Sequence, residues 1–228
     1  MSEHRREIKS FVKRPGRMTP GQREALNTLA PRYLLDYQHT AMDLAGVFNR
    51  DAPLMLEIGF GNGESLVALA EQHRDFNVLG IEVHEPGIGH CLLMADRAKL
   101  EHFRVVNHDA IEVLRHQLGS NSVHRLNLYF PDPWPKKRHH KRRILSEKFL
   151  SLVANVLVPG GTLHIATDWA NYAAQIDETM QGDARYSLVE RVTHDGDQPL
   201  ERPATKFERR GLKLGHQIVD WKFALASD

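Results

Sequence analysis

From Leu54 onward, short runs rich in Leu, Val and Ile alternate with longer segments of helical periodicity, an alternation compatible with few folds. Leu54 to Ile58, Asn77 to Ile81, Phe103 to Val106, Val123 to Phe130 and Thr162 to Thr167 read as strands. Glu64 to Gln72, Pro86 to Leu100, Ala110 to Gln117, Ser146 to Leu157 and Trp169 to Met180 read as helices, the second with proline in its first turn. Tyr186 to Val192 and His216 to Phe223 close the series as an antiparallel pair. The pattern predicts an α/β fold with a doubly wound, mainly parallel, seven-stranded sheet. Ligands of such sheets bind beyond the carboxyl ends of the strands.

Residues 1–20 mix Arg, Lys, Gly and Pro with few apolar side chains, and are expected to be a basic, flexible tail that orders only against the main domain or a partner. Leu26, Leu29, Leu34, Leu35, Met42, Leu44 and Val47 suggest helical packing ahead of the domain, which is expected to be single and to run over 21–228. The formal charge is only +1, so any polyanion-binding function must come from clustering. A lone cysteine, Cys91, excludes an intrachain disulfide, and the scattered histidines suggest no metal site. With neither a signal peptide nor a membrane-spanning window, a cytoplasmic protein is expected.

Glu57-Ile58-Gly59-Phe60-Gly61-Asn62-Gly63 follows the first of these strands and opens a helix, where glycines let the backbone turn sharply and approach a ligand closely. Two cofactor classes compete for such a loop. A dinucleotide would place its pyrophosphate at the helix N-terminus, but there it would face Glu57 and Glu64, the latter standing where the dinucleotide fingerprint has its third glycine. S-adenosylmethionine carries an ammonium and a sulfonium and no phosphate, so the same carboxylates attract it. Glu82, at the end of the second strand, is placed to accept from ribose hydroxyls; Asp109 follows the third and is placed to accept from an adenine amino group; Asp132 ends the fourth. Each acid alone could equally cap a helix or a turn. Together with the glycine loop they predict an adenosylmethionine pocket.

The target is read from residues 126–143, where a strand runs out into Phe130-Pro131-Asp132-Pro133-Trp134 and then into Lys136, Lys137, Arg138, His139, His140, Lys141, Arg142 and Arg143. Flanking prolines restrict the backbone around Asp132. The polycation beside it suggests a nucleic-acid surface, although a charge run can also be only a solvated helix start. Cys91 lies on a predicted helix far from this loop, which disfavours nucleophilic attack on a pyrimidine carbon. The loop also resembles the Asp/Asn-Pro-Pro-aromatic loop of amino methyltransferases, with one proline moved ahead of the Asp.

With the glycine loop, Gly80-Ile81-Glu82-Val83-His84, Pro131-Asp132-Pro133-Trp134, Ala166-Thr167-Asp168-Trp169, Thr205-Lys206-Phe207-Glu208 and Gly215-His216 taken in order, the chain resembles bacterial tRNA (guanine-N7-)-methyltransferases over nearly its whole length. The resemblance implies a Rossmann-like fold and transfer of a methyl group from S-adenosyl-L-methionine to N7 of guanosine 46 in the tRNA variable loop. It implies cofactor contacts at Glu57, Gly59, Gly61, Gly63, Glu82, Asp109 and Asp132, with Asp132 also catalytic. Substrate contacts are implied at Lys136, Asp168, Thr205, Lys206, Phe207 and Glu208, and RNA contacts at Arg138, His139, His140, Lys141, Arg142 and Arg143. Pro135 departs from the polar residue, such as His, common in relatives. Two other readings stay open on the residues alone: an amino-group methyltransferase acting on another RNA or a protein, and a non-catalytic RNA-binding module. Monomer and homodimer are equally compatible with the sequence.

Overall fold

The computed structural model describes residues 9–12, 16–196 and 202–227. Thr19 opens α1 (Pro20–Thr28) through a capping box with Gln22, its hydroxyl accepting from the Gln22 amide. A single further turn, α2 (Ala30–Tyr33), leads into β1 (Leu34–Leu35), which pairs in parallel with Val105 and Val106. Leu34 and Leu35 therefore extend the sheet instead of a helix, because Tyr33 is already buried and the chain must pass the edge strand. After α3 (Leu44–Phe48) the order is β2 (Leu54–Ile58), α4 (Glu64–Gln72), β3 (Asn77–Ile81), α5 (Glu85–Arg97) and β4 (Phe103–Val106). α6 (Ala110–Glu112) runs into a π-helical turn at Val113–Gln117, followed by β5 (Val123–Tyr129) and a 3-10 turn at Lys137–Arg142. The chain then forms α7 (Glu147–Val156), β6 (Leu157–Thr167), α8 (Ala170–Gln181), β7 (Tyr186–His194), α9 (Lys206–Lys213) and β8 (Ile218–Leu225).

Eight strands form one sheet in the order β1-β4-β3-β2-β5-β6-β8-β7, one more than the sequence pattern indicates. The pairs from β1 to β6 are parallel, and β8 runs antiparallel to both of its neighbours. Every residue of β2 and β3 is buried, which explains their unbroken apolar runs. One face is covered by α1, α2, α4 and α5, whose Tyr33, Leu66, Ile88 and Leu92 pack with Phe103. The other is covered by α3, the π-helical turn, α7 and α8 through Phe48, Val113, Phe149, Tyr172 and Ile176. β2 lies between β3 and β5, so the chain builds outward on one side of β2 and then returns to its other side. That reversal opens a crevice at the carboxyl ends of the central strands.

Two further boundaries differ from the sequence pattern. β6 begins at Leu157, before Pro159-Gly160-Gly161, and its register against β5 shifts between the Val123 and Arg125 pairings to absorb the turn-like residues. α9 is a helix with no apolar stripe in its sequence, and its N-terminus is set by tertiary contacts described below.

Candidate active site

A cavity of about 440 Å³ fills the crevice, a volume in the usual range for small-molecule sites. Its floor is made by Ile58, Gly59, Gly61, Ile81 and Glu82, and its far wall by Leu128 to Asp132 and Trp134. Lys206 and Phe207 close it from the C-terminal part of the chain, and Ser10 to Val12 from the N-terminal part. The indole Nε1 of Trp134 donates to the Ser10 carbonyl at 3.1 Å, so part of the basic tail lies against the domain at this cavity.

The three loop glycines do different things. Gly59 and Gly61 line the cavity, both at positive φ, and the Gly61 amide donates to Glu82 at 2.8 Å. Gly63, at φ 83, faces α5: a Cβ there would stand 2.3 Å from Cys91 Sγ. It permits close approach of α4 to α5 and does not line the cavity.

Glu57 lies within β2, 2% exposed, and accepts from the Ser65 hydroxyl at 2.6 Å. Its other oxygen is buried without a partner. Burial pushes the carboxyl up to about 7, against the opposing pull of Ser65, Arg202 and Arg125. Glu57 lines a void of about 20 Å³, enough for a water-sized group, that shares Gly59, Asn62, Tyr129, Lys206 and Phe207 with the main cavity. Glu82 accepts from the amides of Gly61, Val83 and His84, occupying three of roughly four acceptor positions on its carboxylate. It clamps the glycine loop and leaves about one acceptor position open.

Asp109 does not join this group. It caps α6, accepting from the Ile111 amide at 3.1 Å, and its other oxygen is 3.5 Å from Lys9 Nζ. Its neighbours His108 and Ala110 line the cavity in its place, with His108 stacked on Tyr37 at 3.7 Å between ring centroids. The helix-capping role, open for each acid in the sequence, is the one Asp109 takes.

Asp132 lines the cavity from a turn bounded by two non-glycine residues in the left-handed region, Phe130 at φ 50 and Trp134 at φ 44. Each such residue stores about 1–3 kcal/mol and persists only where its surroundings hold it. The Phe130 amide donates to the Ala166 carbonyl, and its ring packs against the Arg202 guanidinium at 5.3 Å. Arg142 lies 5.1 Å from the Trp134 ring.

Of the Thr205 to Glu208 segment, only Lys206 and Phe207 reach the main cavity. Thr205 and Glu208 form the capping box of α9, and Glu208, 3% exposed, also accepts from Arg202 at 2.5 Å. Arg202 in turn donates twice to Asp220 on β8, at 2.6 and 2.8 Å. Glu208 thus belongs to a buried ion-pair network that fixes the start of α9, and it does not line the main cavity. Asp168 is bonded to His216 at 3.0 Å, beneath Gly211 of α9, and supports that helix without lining the main cavity. Lys136 is exposed at the start of the 3-10 turn, outside the cavity.

Arg138 and Lys141 face solvent, and His139, His140 and Arg142 are partly exposed beside the cavity mouth formed by Trp134. Arg143 is different: it is 5% exposed and turned inward, so it is not available as a surface contact to RNA. No group of three or more metal-ligating side chains occurs among the described residues, and no described helix is long and apolar enough to cross a membrane. Ser65, His108 and Arg202 carry no motif of their own. Their roles follow from packing, and a signal for them in the sequence is absent.

A doubly wound sheet with a glycine loop at its reversal point, with Glu82 and Asp132 lining the space beyond it and Glu57 on the small void beside it, is the frame of an S-adenosylmethionine-dependent methyltransferase. The same fold is found in the 16S rRNA (adenine(1408)-N(1))-methyltransferase of Catenulisporales acidiphilia, solved with its cosubstrate SAM, at TM-score 0.56 and 14% identity over 82% of this chain and 93% of that one. TrmN from Thermus thermophilus matches at TM-score 0.55 and 16% identity, over 80% of this chain and 47% of that one. Residues 51–221 match the model of a family described as putative methyltransferases. The tRNA (guanine-N(7)-)-methyltransferase of Halorhodospira halophila is 49% identical over 224 residues, covering 98% of this chain and 97% of its own. That of Nitrosococcus oceani is 48% identical over 225 residues, covering 98% and 93%. The chain belongs to the tRNA (guanine-N(7)-)-methyltransferase family.

Proposed function

We infer that the protein methylates N7 of a guanosine in tRNA, with S-adenosylmethionine as methyl donor, and that the target is guanosine 46 of the variable loop. The observation that carries the reading is the near-full-length identity to tRNA (guanine-N(7)-)-methyltransferases, joined to a cavity that opens beside the basic turn. The cofactor fits the residues present: the unpartnered buried oxygen of Glu57 suits its ammonium, Glu82 a ribose hydroxyl, and the open faces of Gly59 and Gly61 its close approach. When bound, it supplies an electrophilic methyl group.

Guanine N7 carries a lone pair and no proton, so the site needs no general base. It needs an in-line approach and a means of tolerating the positive charge that appears on the purine. Asp132 supplies both by accepting from the N1 and N2 donors of guanine and by placing a carboxylate near the forming cation. Lys206 and Phe207 wall the site from the opposite side. Arg138, Lys141 and Arg142 provide the positive surface for the phosphates, with His139 and His140 as hydrogen-bonding or stacking members. Lys136 and Asp168 act at its margin.

Incubation of a tRNA transcript with labelled cofactor, followed by nucleoside digestion and mapping of the label, tests the reading. Label in 7-methylguanosine at position 46 is expected; another methylated nucleoside, or none, refutes it. Asp132→Asn is expected to reduce kcat at least tenfold with cofactor affinity little changed. Turnover near that of the wild type would refute the electrostatic role.

A further inference from the structure

In sequence Arg143 closes a run of eight basic residues, yet in the structure it is buried at 5% exposure. Its Nε donates to the Pro133 carbonyl at 2.8 Å, inside the turn that carries Asp132. Nη2 donates to Asn171 Oδ1 at 2.8 Å and Nη1 to Gln175 Oε1 at 2.7 Å, both on α8. The guanidinium lies 4.7 Å from the centroid of the fully buried Tyr172 ring, whose hydroxyl accepts from the Leu145 amide. Burial pulls the Arg143 pKa down, but an arginine remains charged, and removing that charge from water costs several kcal/mol unless the surroundings satisfy it. Here the bonds go in three directions, to a backbone carbonyl and two side-chain amides. Only a planar fork reaches all three, whereas a lysine ammonium is a compact charge on a flexible stem.

We propose that Arg143 is a positioning residue for methyl transfer, pinning the Pro131–Trp134 turn to α8 and so setting where Asp132 projects, and that it makes no contact with RNA. The inference rests on the reading that Asp132 acts on the target guanine. Trp134, next along the chain from the anchored carbonyl, is in the left-handed region, a conformation that needs its surroundings to hold it. Without the anchor the turn relaxes, and a displacement of about 1 Å at a reacting group lowers turnover on the order of 100-fold.

The test compares Arg143→Lys with Lys141→Ala, an exposed member of the same run, using full-length protein, saturating S-adenosylmethionine and a tRNA transcript. Arg143→Lys should lower kcat ten- to hundredfold while leaving KM for tRNA and the slope of log affinity against log salt as in the wild type. Lys141→Ala should raise KM and reduce that slope by about one. If folded Arg143→Lys keeps kcat within about twofold, or shows the raised KM and shallower slope of a phosphate contact, the proposal is wrong. Should Arg143→Lys fail to fold, Asn171→Ala, which removes one anchor on α8, decides. A severalfold fall in kcat at constant KM supports the proposal, and wild-type kcat overturns it. Asp132→Asn in the same assay separates the two levels: full activity there defeats the reading of Asp132, whereas an inactive Asp132→Asn beside a fully active Arg143→Lys defeats only the role of Arg143.

Discussion

The proposed contact of Glu57 with the cofactor ammonium predicts that cofactor binding depends on pH. Its carboxyl is fully buried and raised from the ordinary value of 4.5 to about 7, which corresponds to about 3 kcal/mol between its two protonation states. Because the folded value lies above the unfolded one, the stability contributed by protonation is present below pH 4.5 and is lost as pH rises through about 7. A cation placed against the unpartnered oxygen reverses the preference and requires the ionised form. At pH 5 about one molecule in a hundred has Glu57 ionised, and at pH 7 about half do, so affinity for S-adenosylmethionine should rise about fifty-fold over that interval. Above it the amino group of the cofactor itself begins to titrate. Calorimetric titration at pH 6 in two buffers of different ionisation enthalpy should show release of about 0.9 proton per cofactor bound. His84 and His108 also line the cavity, so Glu57→Gln is the control. It should bind more weakly at pH 7 and lose the pH dependence. A wild-type dissociation constant constant within twofold from pH 5 to 7, with no proton release, would refute the assignment.

Asp220, held by Arg202 and His164, has its carboxyl at about 2 in spite of burial, below its ordinary 3.8. Its contribution is therefore present above pH 3.8 and lost as pH falls toward 2, a loss of about 2 kcal/mol in urea unfolding that Asp220→Asn should abolish, along with much of the stability at neutral pH. Gly63→Ala combines φ 83 with a Cβ 2.3 Å from Cys91 Sγ, and should destabilise by about 2–4 kcal/mol in thermal or urea unfolding. A change below about 0.5 kcal/mol would mean that α5 yields freely there.

Much of the sheet was legible because its strands are buried on both faces and so are written as unbroken apolar runs. β2, β3 and β4 fall where those runs do, as does α4 between them. β1 was not, since two leucines carry no period, and α9 was not, since its position depends on Arg202 and Asp220, eighteen residues apart, meeting in the interior. The positions beside Glu57, Glu82 and Asp132 were legible for a similar local reason: each stands in or just after a strand whose carboxyl end must face the crevice.

What the sequence determined by itself is therefore the local content of the protein: strand and helix order, a glycine loop, acids at strand ends, a proline-flanked Asp and a cluster of positive charge. Only the tertiary structure decided which of these face the cavity. Asp109 and Arg143 look equivalent to their neighbours in the chain, yet one caps α6 and the other turns inward to hold Pro133. Glu208 likewise goes to Arg202 and the start of α9. The physical reason is that side-chain direction and the partner that satisfies a buried charge depend on residues distant in sequence, and neither composition nor spacing encodes them.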